Sequence, residues 1–296
     1  MDLKRTKKLG VVLGLTFAST LAGPVAADDY KVFLLGGQSN MDGRADASGL
    51  PTSPVNLQQP QTDVIKFESG ISSNWQDLQP RGSQFGPEIL FGRTLADALP
   101  GENIALIKYA ASGTNLYSDW DPAGSGDPNS PNRYERFVDS ITAGLNKLTT
   151  AGHTYEIAGM LWTQGEADAL NDQTTVQYQT NLNGLIAEVR SSYGSDLPFF
   201  LSQLSDNQTT TAAREAKFDL IQAAQTNVAS SDPNAYLIDT NSFSVISGDE
   251  IHFDAGGQIA LGTAFAQSYL TNVPEPGSLA LLGLGGLLIG ARRRRD

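Results

Sequence analysis

The chain has 296 residues, enough for one domain with a sizeable core, and 40% of them are hydrophobic. Its formal net charge of −12 argues against nucleic acid and anionic lipid as partners, because an acidic surface repels both. There is no cysteine, which excludes disulfides, a thiolate nucleophile and cysteine metal sites. Any histidine-dependent mechanism rests on one of two residues, His153 or His252.

Residues 1–27 form a pattern typical of a secretory signal peptide. Four basic residues precede the apolar stretch Leu9–Leu21, and Val25-Ala26-Ala27 is a small-residue cleavage pattern. The alternative interpretation is an amphipathic first helix. We expect cleavage after Ala27, with residues 28–272 forming the folded domain.

The C-terminal segment, residues 273–296, combines three features in order. Pro274-Glu275-Pro276 precedes the apolar run Leu279–Ile289, and the arginines of Arg292–Arg295 follow. Hydropathy alone would favour a marginal tail anchor, because the run is shorter than the ~20 residues of a membrane helix. The order of the three features resembles the PEP-CTERM sorting signal of Gram-negative bacteria. That resemblance implies an exosortase as processing partner, transient membrane contact, and delivery to the cell surface or extracellular matrix.

Between these segments, apolar strands alternate with helices. Strands are predicted at Lys31–Leu35, Ile104–Tyr109, Ile157–Trp162, Pro198–Leu204 and Ala235–Asp239. Helices are predicted at Pro87–Leu99, Tyr134–Leu148, Thr175–Ser192, Ala212–Val228 and Gly257–Leu270. The stretch Asp42–Gln84 is rich in Pro, Ser, Gly and Gln, and is predicted as loops with a short hairpin. This order predicts an α/β fold with a five-stranded parallel sheet covered on both faces.

The first strand leads directly into Gly36-Gly37-Gln38-Ser39-Asn40-Met41. Glycines at that point predict a tight turn, which leaves Ser39 just past the carboxyl end of the strand. Open α/β sheets bind their ligands at that edge, so Ser39 is a candidate nucleophile if a base and an acid are available. The structural alternative is that Ser39 or Asn40 only caps the next helix.

Asp249 and His252 are the candidate acid and base, three positions apart. In a single turn the carboxylate could accept the Nδ1 proton of the histidine, leaving Nε2 free to take a proton from a hydroxyl. The alternative is a helix-entry loop in which Asp249 or Asp254 is a cap and His252 lies on the surface. His153 precedes the third strand, at the opposite edge of the sheet, and is expected on the surface. No metal site is expected, because no metal-binding histidine motif is present.

Two further polar turns follow predicted strands. Gln164 could donate its side-chain amide to an oxyanion, and Gly113 could donate its backbone amide. Alone, each would more simply be a turn, with Glu166 and Asp168 solvated beside Gln164. However, three of these signals follow different predicted strands, and the fourth lies between the last strand and the closing helix. Together they supply a nucleophile, two kinds of oxyanion donor and an acid–base pair, which favours a hydrolytic site.

Together these residues carry a resemblance to the SGNH (GDSL-like) hydrolases, and within them to the sialate O-acetylesterase and carbohydrate esterase family six group. The matching segments are Gly37–Met41, Gly43-Arg44, Phe85–Glu88, Lys108, Gly113-Thr114, Trp162–Asp168 and Asp249–Asp254. The resemblance implies a three-layer α/β/α, flavodoxin-like fold. It also implies a triad of Ser39, His252 and Asp249, and an oxyanion hole formed by the Ser39 amide, Gly113 and Gln164.

The function implied is a secreted serine esterase that removes O-acetyl groups from carbohydrates of the acetylxylan or sialate type, without cofactor or metal. Gln38, Arg44 and Glu166 are expected to support the site. Thr163 and Ser112 depart from the family pattern, where a histidine and a second glycine are common, so they bear on the shape of the acyl pocket. The alternatives are a non-catalytic carbohydrate-binding or matrix protein on the same fold, and a short-chain lipase or thioesterase.

Overall fold

The computed structural model describes residues 27–124, 131–208 and 211–273. Its strands are β1 (Asp29–Gly37), β2 (Ala45–Asp46), β3 (Gln61–Glu68), β4 (Gln76–Leu78), β5 (Gln84–Phe85), β6 (Asn103–Ala110), β7 (Thr154–Thr163), β8 (Phe199–Ser202) and β9 (Ala235–Ile238). Its α-helices are α1 (Ser39–Asp42), α2 (Glu88–Ala98), α3 (Arg133–Thr150), α4 (Asp172–Tyr193), α5 (Ala212–Ser231) and α6 (Ala255–Asn272). Residues 1–26 of the predicted signal peptide and 274–296 of the sorting segment lie outside these ranges.

The central sheet has seven strands in the order β4-β3-β6-β1-β7-β8-β9. β1 lies in the middle and pairs in parallel with β6 and β7 along its whole length. It can do so because Val32, Phe33, Leu34 and Leu35 are fully buried, and strands covered on both faces are continuously apolar. The five predicted parallel strands are β1, β6, β7, β8 and β9, and among the described strands of this sheet only β4 is antiparallel. β2 and β5 form a separate antiparallel pair.

The expectation of five strands is therefore too low by two. Within the predicted loop stretch Asp42–Gln84, β3 pairs in parallel with β6, and β4 forms the short hairpin with β3. β3 lacks a continuous apolar pattern because two of its buried residues, Lys66 and Glu68, are charged and form an ion pair, with Nζ 3.0 Å from Oε2. Glu88 also lies 3.6 Å from the amine of Lys66. The partner that satisfies the buried lysine is supplied by α2, which a local pattern does not reveal.

Helices cover both faces of the sheet and give three layers. α3, α4 and α5 bury side chains such as Phe137, Tyr178 and Phe218 in one hydrophobic core. α2 and α6 bury Phe91 and Phe265 in the core on the other face. The predicted α/β/α fold is confirmed in its layers and parallel sheet. In the described residues no helix is both long and apolar enough to span a bilayer.

Candidate active site

The nucleophile turn depends on a glycine at the end of β1. Gly37 has φ 143°, and a Cβ there would lie 2.1 Å from the carbonyl oxygen of Thr163 on β7. Only glycine lets the two strands stay this close while the chain turns. Ser39 begins α1 immediately afterwards, and its Oγ lies 2.9 Å from His252 Nε2.

The histidine lies in the loop between β9 and α6, where Asp249 orients it. Its Nδ1 lies 2.7 Å and 2.9 Å from the two carboxylate oxygens of Asp249. Burial raises the pKa of Asp249, but the hydrogen bond and the charge of His252 outweigh it, so the pKa is lower than its ordinary value. An ionised Asp249 fixes the proton on Nδ1, which leaves Nε2 able to accept the proton of Ser39.

Asn40 joins the nucleophile turn to the histidine loop. It is fully buried, its Nδ2 donates to the carbonyl of Ile251 at 3.2 Å, and its Oδ1 accepts from the amide of Phe253 at 2.9 Å. These two residues flank His252, so Asn40 holds the histidine in register with the adjacent serine. Gln208 supports the same carbonyl, at 2.7 Å. No local sequence pattern indicates either role.

Glu166 completes this clamp from the end of β7. Its Oε1 accepts from Asn40 Nδ2 at 2.6 Å and from Gln208 Nε2 at 3.2 Å, and the side chain is buried at the wall of the cavity. It is therefore not the solvated turn residue of the structural alternative. Its contacts make it a support for the histidine loop.

The side-chain amide of Gln164 is hydrogen-bonded inside the protein. Its side chain is 1% exposed and is absent from the cavity wall, and its Nε2 donates to Asp168 Oδ2 at 2.5 Å and to the carbonyl of Thr114 at 3.2 Å. Both amide hydrogens are thus used inside the protein. In this conformation the Gln164 side chain does not line the cavity, whereas Gly113, with φ 72°, does.

Gln38, unlike Gln164, lines the cavity. Its Oε1 accepts from the amide of Ala167 at 3.2 Å and from Gln164 Nε2 at 3.3 Å, which fixes the plane of the side-chain amide. Gln38 lines the cavity beside Ser39, and within the described ranges its Nε2 has no protein acceptor. Gln38 Nε2 is therefore a donor available to a ligand beside Ser39.

Asp168 anchors the layer behind the site. It is fully buried, and its Oδ2 accepts from the amide of Leu116 at 2.8 Å as well as from Gln164. Burial raises its pKa to about 6, against the opposing effect of these hydrogen bonds. It links the loop after β6 to the turn after β7, and it is not the solvated residue of the structural alternative.

A cluster of buried charges supports the other side of the nucleophile turn. Lys108 Nζ lies 2.7 Å from Glu88 Oε2 and donates to the carbonyl of Asp42, the last residue of α1, at 2.9 Å. Burial raises the pKa of Glu88, but Lys108 and Lys66 outweigh it and the pKa is lower than usual. The paired charges hold α1 against β6.

The cavity around Ser39 and His252 has a volume of about 630 Å³. Two arginines line it: Arg44, held by Ser112 Oγ and by Asp42 Oδ2 at 3.3 Å, and Arg214, whose guanidinium lies 5.3 Å above the ring of Phe218. Arg44 belongs to a segment that matches the family pattern, so its place at the site could be predicted. Arg214 lies in a helix without a recognisable motif, so its place could not.

His153 lies away from this site. It precedes β7 at the amino-terminal edge of the sheet, where its Nδ1 accepts from the amide of Asp28 at 3.2 Å. The opposite-edge position is confirmed, but the side chain is only 18% exposed and is not a free surface residue. Of the two histidines, His252 is thus the one at the carboxyl edge.

Comparison with known proteins gives a consistent assignment. Residues 29–271 match the family model described as carbohydrate esterase, sialic acid-specific acetylesterase. Residues 272–295 match the model of the PEP-CTERM protein-sorting motif. A probable carbohydrate esterase from Arabidopsis thaliana is 25% identical over 265 residues, which cover 82% of this chain and 91% of the plant protein.

Solved structures agree at the level of the fold. The X-ray structure of that Arabidopsis protein has a TM-score of 0.64 at 22% identity and covers 84% of this chain and 100% of its own. A carbohydrate acetylesterase from Xanthomonas citri has a TM-score of 0.59 at 18% identity, covering 81% and 56% respectively. NanS has a TM-score of 0.58 at 14% identity, covering 83% and 98%.

Proposed function

Because the chain belongs to the carbohydrate esterase, sialic acid-specific acetylesterase family, we propose that it removes O-acetyl groups from carbohydrates through Ser39, His252 and Asp249. Carboxylic ester hydrolysis is the activity of the family. The observation that carries the mechanism is the hydrogen-bonded row Ser39 Oγ, His252 Nε2, His252 Nδ1 and Asp249, at the wall of one cavity.

In this mechanism Ser39 Oγ attacks the ester carbonyl while His252 Nε2 takes its proton. The backbone amides of Ser39 and Gly113 stabilise the oxyanion, and we add Gln38 Nε2 as the third donor in place of Gln164. His252 then returns the proton to the leaving sugar oxygen, which gives the acetyl-enzyme. A water molecule, deprotonated by the same nitrogen, releases acetate and restores Ser39.

The walls of the cavity support a carbohydrate more than a lipid as substrate. Arg44, Gln84 and Ser112 present charged and hydrogen-bonding groups. The larger apolar side chains, Leu170, Ile246 and Ile251, are interspersed with polar residues in the sequence. A sugar needs many hydrogen-bonding partners, whereas an acyl chain needs a continuous apolar channel. Acetylated xylan and O-acetylated sialic acid are the two substrate types to compare.

The sorting-motif match points to export and C-terminal processing, with the surface or the extracellular space as destination. We propose that the signal peptide ends at Ala27, that an exosortase removes the tail, and that the host is a Gram-negative bacterium. The membrane is then contacted only during export.

The test is acetate release by the wild type and by Ser39→Ala, with Ser73→Ala as the control because Ser73 lies exposed in a distant turn. Substrates are acetylated xylan, O-acetylated sialic acid and p-nitrophenyl acetate. We expect Ser39→Ala to lose at least ~10³-fold in kcat on every substrate and Ser73→Ala to lose nothing. Acetate release by Ser39→Ala at the wild-type rate would overturn the serine mechanism.

A further inference from the structure

A second cavity opens close to the active site, on the surface between the loop after β6 and α4. It has a volume of about 540 Å³, and its wall includes Tyr117, Ser118, Asp121, Asn181 and Gly184. Tyr117 is 37% exposed, and a Cβ on Gly184 would meet nothing within 4 Å. An open cavity with an exposed aromatic ring beside hydroxyl, carboxylate and amide groups suits a sugar, whose apolar face packs on the ring while its hydroxyls are hydrogen-bonded.

Residues that are close in sequence line the two cavities. Gly113 lines the first cavity and Tyr117 the second, and four residues of chain span at most ~14 Å. Leu170 also lines the first cavity, and three positions later Gln173 Nε2 donates to the hydroxyl of Tyr117 at 2.7 Å. The two sets of wall residues are therefore close enough together for an oligosaccharide to reach both.

The segment that joins the two cavities is held rigidly. The amide of Leu116 donates to buried Asp168 at 2.8 Å, and the amide of Asn115 donates to Asp119 Oδ2 at the same distance. Trp120 Nε1 donates to Thr114 Oγ1 at 2.9 Å. A preformed site loses little conformational entropy when a ligand binds, so the spacing between the cavities is fixed before the substrate arrives.

We propose that the second cavity binds a neighbouring sugar of the polymer whose acetyl group is removed at Ser39. The substrate class is then an acetylated polysaccharide and not a free acetylated monosaccharide. The proposal rests on the proposed function, because it extends the substrate of the same site.

The test compares Tyr117→Ala, Tyr117→Phe and Gly184→Leu with wild type. Leu220→Ala is the control, because Leu220 is 55% exposed on α5 and lines neither cavity. Tyr117→Ala removes the ring, Tyr117→Phe keeps it, and Gly184→Leu fills the cavity from a helix that tolerates leucine. Kinetics are measured on acetylated xylan, as the polysaccharide, and on p-nitrophenyl acetate.

We expect Tyr117→Ala and Gly184→Leu to raise KM for the polysaccharide about five- to tenfold. On p-nitrophenyl acetate both should stay within about twofold of wild type, and Tyr117→Phe and Leu220→Ala should match wild type on both substrates. An equal loss on both substrates would assign Tyr117 a structural role and overturn the proposal. Unchanged KM for the polysaccharide in both variants would also overturn it.

Direct binding separates this proposal from the esterase mechanism. Ser39→Ala is measured for retardation in gels containing the deacetylated polysaccharide, alone and combined with Tyr117→Ala. Retardation that Tyr117→Ala abolishes supports the second cavity, even if the wild type hydrolyses no ester. Retardation that Tyr117→Ala leaves unchanged, or no retardation of Ser39→Ala at all, overturns it.

Discussion

At the scale of single residues, Ser39, Asp249 and His252 could be predicted from sequence as a candidate triad, because each follows a strand end or a short turn. What could not be predicted is where a flexible amide points. Gln164 follows β7 as expected, but Asp168, four positions later, accepts its Nε2 hydrogen. Asn40 forms hydrogen bonds with the backbone of Ile251 and Phe253, which lie more than 200 positions later in the sequence, so no local pattern indicates its role.

Asp168 gives a prediction about pH and stability. Burial raises its pKa to about 6 in the folded protein, against ~3.9 in an unfolded chain. The folded state therefore binds the proton more tightly than the unfolded state does. As pH rises from ~4 to ~6, this group lowers the free energy of unfolding, and above pH ~6 the free energy stays at the lower value. Asp168→Asn should raise the free energy of unfolding by about 1–2 kcal/mol at pH 7 and leave it nearly unchanged at pH 4.

Urea unfolding at pH 4, 5.5 and 7 measures this difference, with exposed Asp139→Asn as the control that should show no such trend. A destabilisation by Asp168→Asn of equal size at all three pH values would contradict the prediction. It would mean that the carboxylate matters only as the acceptor for Leu116 and Gln164.

At the scale of elements, the five predicted helices and five predicted strands all occur, because each carries a continuous apolar run or a helical spacing of apolar residues. β3 was missed for a physical reason. Lys66 and Glu68 occupy buried positions and are neutralised by each other and by Glu88 on α2. A pattern of apolar residues cannot identify a strand whose buried charges find partners elsewhere in the chain.

The contact of α2 with α6 gives a prediction at the same scale. A Cβ on Gly262 of α6 would lie 2.3 Å from the carbonyl oxygen of Pro87 and 2.9 Å from Leu90 Cβ, so the two helices must separate to accept it. Gly262→Ala should therefore lower the free energy of unfolding by about 2 kcal/mol or more, as overpacking does.

Gly184→Ala on α4 is the matched control, since its Cβ meets nothing within 4 Å. It should raise the free energy of unfolding by about 0.5–1 kcal/mol, because alanine favours a helix over glycine. Thermal unfolding of both variants shows whether each substitution lowers or raises the free energy of unfolding. If both glycines respond alike, the close packing of α2 on α6 is not what constrains position 262.

At the scale of the whole molecule, α6 separates the site from the sorting tail. It begins at Ala255, three positions after His252, and its 18 residues extend ~27 Å to Asn272. Near its end Tyr269 packs on Phe33, within β1, with ring centroids 4.9 Å apart. Asn272, the last residue of α6, therefore lies away from the carboxyl edge of the sheet, where Ser39 is found.

The tail should consequently not affect catalysis. We expect the full chain, embedded in detergent micelles, and a chain ending at Val273 to hydrolyse p-nitrophenyl acetate with kcat/KM values within about twofold of each other. Ser39→Ala in both lengths corrects for other esterases in the preparation. Because Val273 is the C-cap of α6, truncation there leaves the helix complete. A full chain that stays inactive until its tail is trimmed would show that the tail reaches around the domain and blocks the cavity.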